Sequence, residues 1–174
     1  MRKSTHLVMN VAAAAPLAAF VPPVGAVGCL WFGLMGGAFP AYADLRSGMK
    51  RHLKHRGFSH SIAMLAIAGA FVYILLDALN REKTGLLVVP REYVLAWTGA
   101  FCLGFLSHML GDACTRGGIQ PFIPLWQKKI WVLPRIFRGK SVGWQNGIAR
   151  LASVILIGLS LGLFVALQFG LVPT

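Results

Sequence analysis

The sequence predicts an all-α integral membrane protein, a polytopic bundle of helices that crosses the bilayer several times. Of its 174 residues, 56% are hydrophobic and only 13% are charged, whereas soluble globular domains carry about 25% charged residues. Four long apolar segments divide the chain, at about residues 7–40, 59–79, 92–114 and 148–172, and a helical crossing needs ~20 such residues. We expect them to form a single membrane domain over residues 1–174.

The first apolar segment is too long for one ordinary crossing and contains the pair Pro22-Pro23. Proline cannot continue a regular helix, because it lacks the backbone N–H and its ring clashes with the preceding turn. The segment is therefore predicted to be either a hairpin or re-entrant segment that turns at the prolines, or one long kinked helix. The opening Met-Arg-Lys before an Ala-rich run is also typical of a signal peptide.

The three later segments are each predicted to be a transmembrane helix. Ser59 is a candidate N-cap for the first of them, since a serine side chain can accept a hydrogen bond from the first helical turn. An amphipathic loop is predicted at 119–147, where tryptophan and phenylalanine alternate with lysine and arginine. Such a segment suits the membrane interface, where rings sit at headgroup depth and cations meet anionic lipid. It either lies on the membrane or forms a lid over a site.

Positive charge is shared very unevenly among the connecting segments. Fourteen of the seventeen lysines and arginines lie in residues 2–3, 46–56 and 116–150, and only three lie between the second and third apolar segments. Basic residues concentrate on the cytoplasmic side of membrane helices, so these three segments are predicted to be cytoplasmic. The net charge of +12 is explained by this anchoring, and a nucleic-acid partner is not expected.

This topology places every histidine at the cytoplasmic end of an apolar segment. The histidines are His6, His52, His55, His60 and His108. Two of the five acids, Asp44 and Asp112, fall at the same level. Ionisable residues at such positions are costly and are candidates for function, although local hydrogen bonding or anchoring at the interface would also account for a single histidine.

Two local patterns point to a metal site. His108 and Asp112 are four residues apart, so on a helix they project from one face about a turn apart and can bind one ion together. Gly57, between His55 and His60, permits a tight turn that would bring those two imidazoles together. Borderline metals such as zinc favour imidazole nitrogens with one or two carboxylate oxygens. We therefore predict a divalent metal ion, with zinc expected, and the candidate ligands are His6, His55, His60, His108 and Asp112.

The sequence resembles a known family in three motifs: Thr5-His6 at the start, "HRGFSHS" at 55–61, and "HMLGDACTRGG" at 108–118 followed by Pro121-Phe122. Together they resemble the YdjM-type, LexA-regulated inner-membrane proteins, described as membrane-bound metal-dependent hydrolases. The resemblance covers about residues 5–125. The family usually carries Leu-Pro-Asp-x-Asp after its first apolar region. Here "FPAYAD" retains Pro40, has Ala41 in place of the first acid, and leaves only Asp44 nearby.

The resemblance implies a bacterial inner-membrane protein, and the charge distribution predicts that its N-terminus and metal site face the cytoplasm. It implies hydrolysis of a phosphodiester or lipid-type substrate by metal-activated water, with membrane lipids as partners. Asp112 would hold the ion, Asp44 or an unliganded histidine would be the general base, and Arg56 with Arg116 would bind phosphate. Ser59, Ser61, Ser107 and Thr115 are candidate hydrogen-bond partners of the ligands.

Two other functions are compatible with the same residues. One is a membrane-embedded, metal-dependent peptidase that processes a membrane protein, although the chain has no His-Glu-x-x-His motif. The other is a metal-binding or assembly protein without catalysis, which the missing acid at Ala41 favours.

Overall fold

The computed structural model describes residues 3–46, 57–81, 89–138 and 145–171. These residues form five α-helices, namely α1 (Lys3–Ala19), α2 (Pro23–Arg46), α3 (Ile62–Arg81), α4 (Arg91–Ala113) and α5 (Gln145–Gln168). Four stretches are long and apolar enough to cross a membrane: Pro23–Ala43, Ile62–Arg81, Arg91–Ala113 and Asn146–Gln168. The predicted polytopic helical fold is confirmed.

The first apolar segment is a helical hairpin rather than one kinked helix. The chain turns at Phe20–Pro22, and Pro23 begins α2, a position where the missing N–H is not needed by the helix. Gly33 of α2 lies against Ala14 of α1, and Gly37 lies one turn further along against Asn10. The two arms are therefore antiparallel, and the predicted hairpin that turns at the prolines is confirmed.

Glycines allow α2 and α4 to pack at close range. A Cβ atom at Gly36 would collide with the backbone carbonyl of Phe101, and one at Gly104 would collide with the carbonyl of Gly33. Lipid tails are as apolar as the side chains they touch, so helices in membranes associate through close packing of small residues. The spacing of these glycines thus sets how α4 lies on the hairpin.

The Ala-rich helix α1 lies inside the bundle, in contact with α2, α4 and α5. Its alanines at 12, 14, 15, 18 and 19 are buried, because only small side chains fit between neighbours on several sides. By contrast, α3 packs chiefly on α4 and α5 on α1, and both expose large apolar side chains such as Phe71, Ile74, Leu151 and Leu159. These exposed faces are suited to contact lipid.

The start of α5 lies beside the start of α1. Arg150 donates from Nε to Thr5 Oγ1 over 3.1 Å and from its terminal nitrogen to Ser4 Oγ. Because α2 is antiparallel to α1, the end of α2 lies at this same end of the bundle. The end of α4 and the turn before α3 meet there as well, through the contacts described next.

Candidate metal centre

The last turn of α4 supplies two of the site's side chains. His108 and Asp112 are both buried, and they lie one helical turn apart with His108 Nε2 3.9 Å from Asp112 Oδ2. This is the shared helix face that the spacing predicts. Thr115 donates from Oγ1 to the carbonyl of Asp112 over 2.8 Å, which satisfies one of the carbonyls that a helix end leaves without an internal partner.

His60 reaches the same point from a short 3-10 turn, Phe58–His60, that precedes α3. It is completely buried, and its Nε2 lies 3.4 Å from Asp112 Oδ2 and 3.3 Å from His108 Nε2. The other ring nitrogen, Nδ1, is hydrogen-bonded to Ser59 Oγ at 3.0 Å. When Nδ1 donates that hydrogen bond, Nε2 presents its lone pair towards Asp112 and His108.

The N-cap of α3 is Ser61, not Ser59 as the sequence suggested. The N–H of Met64 donates to Ser61 Oγ over 3.1 Å, which is the side-chain capping contact of a helix start. Ser59 instead contacts the His60 ring. The reason is the 3-10 turn over Phe58–His60. Because of this turn, α3 begins at Ile62, two residues later than a cap at Ser59 would place it.

His6 comes from the first turns of α1 and completes the cluster. Its Nε2 lies 3.5 Å from Asp112 Oδ1, and its ring stacks on that of His108 with the centroids 4.3 Å apart. Its Nδ1 is buried without a hydrogen-bond partner among the described residues. The side chain of His6 is 11% exposed, against 1% for that of His60, so His6 is the more accessible of these two rings.

The donor set fits a divalent cation. Ligand atoms of His60, His108 and Asp112 all lie within 4.8 Å of one another and are buried. Two imidazole nitrogens facing each other at 3.3 Å can share only one proton, and both also face a carboxylate. A cation between them would satisfy all three groups, and a set of two histidines and one carboxylate is a common zinc arrangement. These three residues could hold a metal ion, with His6 beside them.

The structure does not describe the side chains of three predicted site residues. His55 and Arg56 lie outside the described residues. Asp44 belongs to the last turn of α2, at the same end of the bundle, but its side chain is outside the described part. The roles predicted for these residues remain predictions.

The segment after α4 folds back beneath the cluster. The N–H of Ile62 donates to the Pro121 carbonyl over 2.8 Å, so the Pro-Phe motif is tied directly to the start of α3. Gly118 has a positive φ of 63°, and a Cβ there would collide with the Trp131 indole. The three-motif pattern thus has a physical basis, because the third motif supports the turn that carries His60.

A polar pair that the sequence analysis did not identify lies one turn deeper in the bundle. Ser107 donates to Asn10 Oδ1 over 2.8 Å, and Asn10 is 1% exposed. The signal was present, because Asn10 is a polar residue within an apolar run and lies four residues after His6. Of the four predicted hydrogen-bond partners of the ligands, Ser59 is hydrogen-bonded to the His60 ring, and Thr115 donates to the Asp112 carbonyl.

The fold and the site define a polytopic helical membrane protein with a buried His/Asp cluster at one end of its bundle. In comparison with protein families, residues 1–170 match the family described as YdjM inner membrane protein. The chain belongs to this family, and the predicted resemblance is confirmed. No curated protein matches the chain significantly. No solved structure does so either.

Proposed function

We propose that this protein is a membrane-bound, metal-dependent hydrolase whose site is the cluster of His6, His60, His108 and Asp112. One observation carries the proposal: nitrogen and oxygen ligand atoms from two separated parts of the chain, His60 before α3 and His108 with Asp112 on α4, converge within 4.8 Å in a buried position. Buried ionisable groups in a membrane protein are costly unless they are paired or coordinate an ion. The expected ion is zinc, since histidine and carboxylate ligands suit it.

When bound, a divalent ion supplies a Lewis acid and lowers the pKa of water towards ~7. The remaining work belongs to residues of this chain. His60, His108 and Asp112 would hold the ion, while Ser59 fixes the ring of His60 through Nδ1. Asp44, or His6 where it does not bind the ion, would accept the proton of the attacking water. Arg56 and Arg116 would bind the negative charge that develops on the substrate.

The proposed substrate is a phosphodiester or a lipid. The support for this substrate is the position of the cluster at the end of apolar helices rather than at their middle. The end of a membrane helix is where a lipid headgroup and water are both accessible. The proposed orientation, with the N-terminus and cluster in the cytoplasm of a bacterial cell, is supported by the charge distribution. Fourteen of the seventeen basic residues lie in residues 2–3, 46–56 and 116–150, which adjoin in sequence the helix ends that meet at the cluster.

Metal analysis of the purified protein tests the site. We expect the wild type to contain a divalent metal, and His60→Ala and Asp112→Asn each to lose most of it, because each removes one ligand. The matched control is Asp77→Asn, which removes a carboxylate that pairs with Arg81 on α3 and should retain metal. All variants are first checked for helicity by circular dichroism and for a single peak in gel filtration.

The catalytic part is tested by incubating metal-loaded protein with bacterial lipid extract and following phosphate-containing products by mass spectrometry. Products should form with the wild type and with Asp77→Asn but not with Asp112→Asn. A metal-free wild type, or ligand variants that keep their full metal content, would refute the site. A metal-containing wild type that releases no product would refute hydrolysis of these lipids.

A second candidate is a non-catalytic metal-binding membrane protein. The observation that favours it is the near-complete burial of His60 and Asp112. In addition, Ala41 stands where members of the family usually carry an acid. In that case metal would raise the thermal stability of the protein, and the lipid assay would stay negative.

A further inference from the structure

We propose that Arg116, Arg135 and Arg138 form a binding pocket for a phosphate group. The three side chains line a cavity of about 350 Å³ in the segment after α4. Arg116 and Arg138 are joined, since Arg116 donates from Nε to the Arg138 carbonyl over 3.4 Å. The pocket therefore brings together residues that are 22 positions apart in the chain.

The guanidinium of Arg138 is held in position before any ligand arrives. Its Nε donates to the Leu133 carbonyl over 2.8 Å, and its guanidinium carbon lies 4.4 Å from the centre of the Trp131 ring. Trp131 in turn donates to the Arg116 carbonyl over 3.2 Å. Because these contacts use Nε and the flat face of the guanidinium, the terminal nitrogens remain available for a ligand. Such preorganisation reduces the entropy that binding costs.

Charge selects an anion for this pocket. Within the described residues, none of the three arginines forms an ion pair with a carboxylate. Three neighbouring positive charges repel each other, and a bound anion would relieve that repulsion. Phosphate suits several guanidinium groups at once, since it carries up to two negative charges and its oxygens accept parallel hydrogen bonds from the arginine fork.

The pocket lies at the same end of the bundle as the His/Asp cluster. Arg116 follows Asp112 by four residues, and the N–H of Val132 donates to the Ala113 carbonyl over 3.2 Å. The same segment after α4 also exposes apolar residues, with Leu125 95% exposed and Trp126 51% exposed, as suits a loop at headgroup depth. Assigning the bound phosphate to the substrate rests on the proposed function, whereas phosphate binding itself does not.

Calorimetric titration of the full-length protein in dodecyl maltoside tests the pocket with two probes. Inorganic phosphate represents a soluble source, and dioctanoyl phosphatidylglycerol represents a lipid headgroup. We expect saturable binding of at least one probe, weakened at least about tenfold by Arg135→Gln and by Arg138→Gln, because each removes charge-assisted hydrogen bonds. Arg138→Lys keeps the charge but loses the fork, and it should also weaken binding.

Arg91→Gln is the matched control, because it removes one exposed positive charge at the start of α4, away from the pocket. It should bind like the wild type. Arg135→Gln still tests phosphate binding if Arg138→Gln fails to fold, because Arg135 is exposed. Binding of phosphate alone would assign a soluble ligand, and binding of phosphatidylglycerol alone would assign a headgroup.

The proposal is overturned if neither probe binds saturably, if both glutamine variants bind like the wild type, or if Arg91→Gln weakens binding equally. Metal content is measured on the same samples. Arg138→Gln should retain its metal, so loss of phosphate binding and loss of the metal site are distinguishable outcomes.

Discussion

Ser59 and Ser61 flank His60, and the structure gives them different roles. Ser59 is hydrogen-bonded to the His60 ring, whereas Ser61 caps α3 through the N–H of Met64. Two serines two residues apart in the sequence thus act on different properties, one on the orientation of a candidate ligand and the other on the start of a helix. Such a pair allows the two properties to be separated by mutation.

We expect Ser59→Ala to lower metal affinity by about tenfold or more, because groups that orient a ligand imidazole typically contribute that much. We expect Ser61→Ala to lower the free energy of unfolding by about 1 kcal/mol, the usual contribution of an N-cap. Competition with a metal indicator measures the first quantity and thermal unfolding in detergent measures the second. Equal effects of both variants on metal affinity would contradict the separate roles.

Residue spacing in the sequence predicts only part of the site. His108 and Asp112 could be paired from the sequence, because i and i+4 positions share a helix face. His60 is 48 residues before His108, and nothing in the spacing fixes their 3.3 Å separation. That distance depends on the 3-10 turn before α3 and on the hydrogen bond from Ile62 to the Pro121 carbonyl. The second is a contact between distant parts of the chain.

At the scale of elements, glycines decide how the hairpin meets α4. Gly36 faces the Phe101 backbone, and Gly33 faces the Gly104 backbone, so the two helices touch through their main chains. Alanine and glycine in an apolar run look equivalent in hydropathy. Their difference appears only where a neighbouring backbone leaves no room for a methyl group.

We expect Gly36→Ala to destabilise the bundle by about 1–3 kcal/mol, since the added methyl forces backbones apart in a packed interior. The control is Gly158→Ala on α5, where a Cβ atom would meet nothing within 4 Å and helix propensity improves slightly. Thermal unfolding in detergent compares the two variants. A Gly36→Ala protein as stable as the Gly158→Ala protein would contradict the close α2–α4 contact.

At the scale of the whole molecule, the helices determine which connections share a side of the membrane. The starts of α1, α3 and α5 and the ends of α2 and α4 lie at the cluster end. The end of α3 and the start of α4 lie at the other end, and the sequence between the second and third apolar segments carries only three basic residues. Charge and fold therefore agree on which ends belong together, and from the positive-inside tendency we predict that the cluster end faces the cytoplasm.

Cysteine labelling in spheroplasts checks this orientation. In a variant without Cys29, Cys102 and Cys114, we introduce Arg91→Cys in one protein and Gln127→Cys in another, both at exposed positions. A membrane-impermeant maleimide should label position 91 in intact spheroplasts and position 127 only after lysis. The opposite pattern would invert the protein, and labelling of both positions in intact spheroplasts would contradict the fold.

The sequence by itself determined the membrane class, the break at Pro22-Pro23 and the family, because hydropathy, proline and short motifs can be recognised without knowledge of the fold. Charge asymmetry also predicted that the histidines lie at one level, and the structure brings His6, His60 and His108 together. Only the tertiary structure decided that His6 and His60 converge on the α4 pair of His108 and Asp112. It also decided that Ser61 rather than Ser59 caps α3, and that Arg116 shares a pocket with Arg135 and Arg138. The arrangement of the cluster and of the pocket depends on glycine-mediated packing and on loop hydrogen bonds between residues far apart in the chain. No local sequence pattern encodes these contacts.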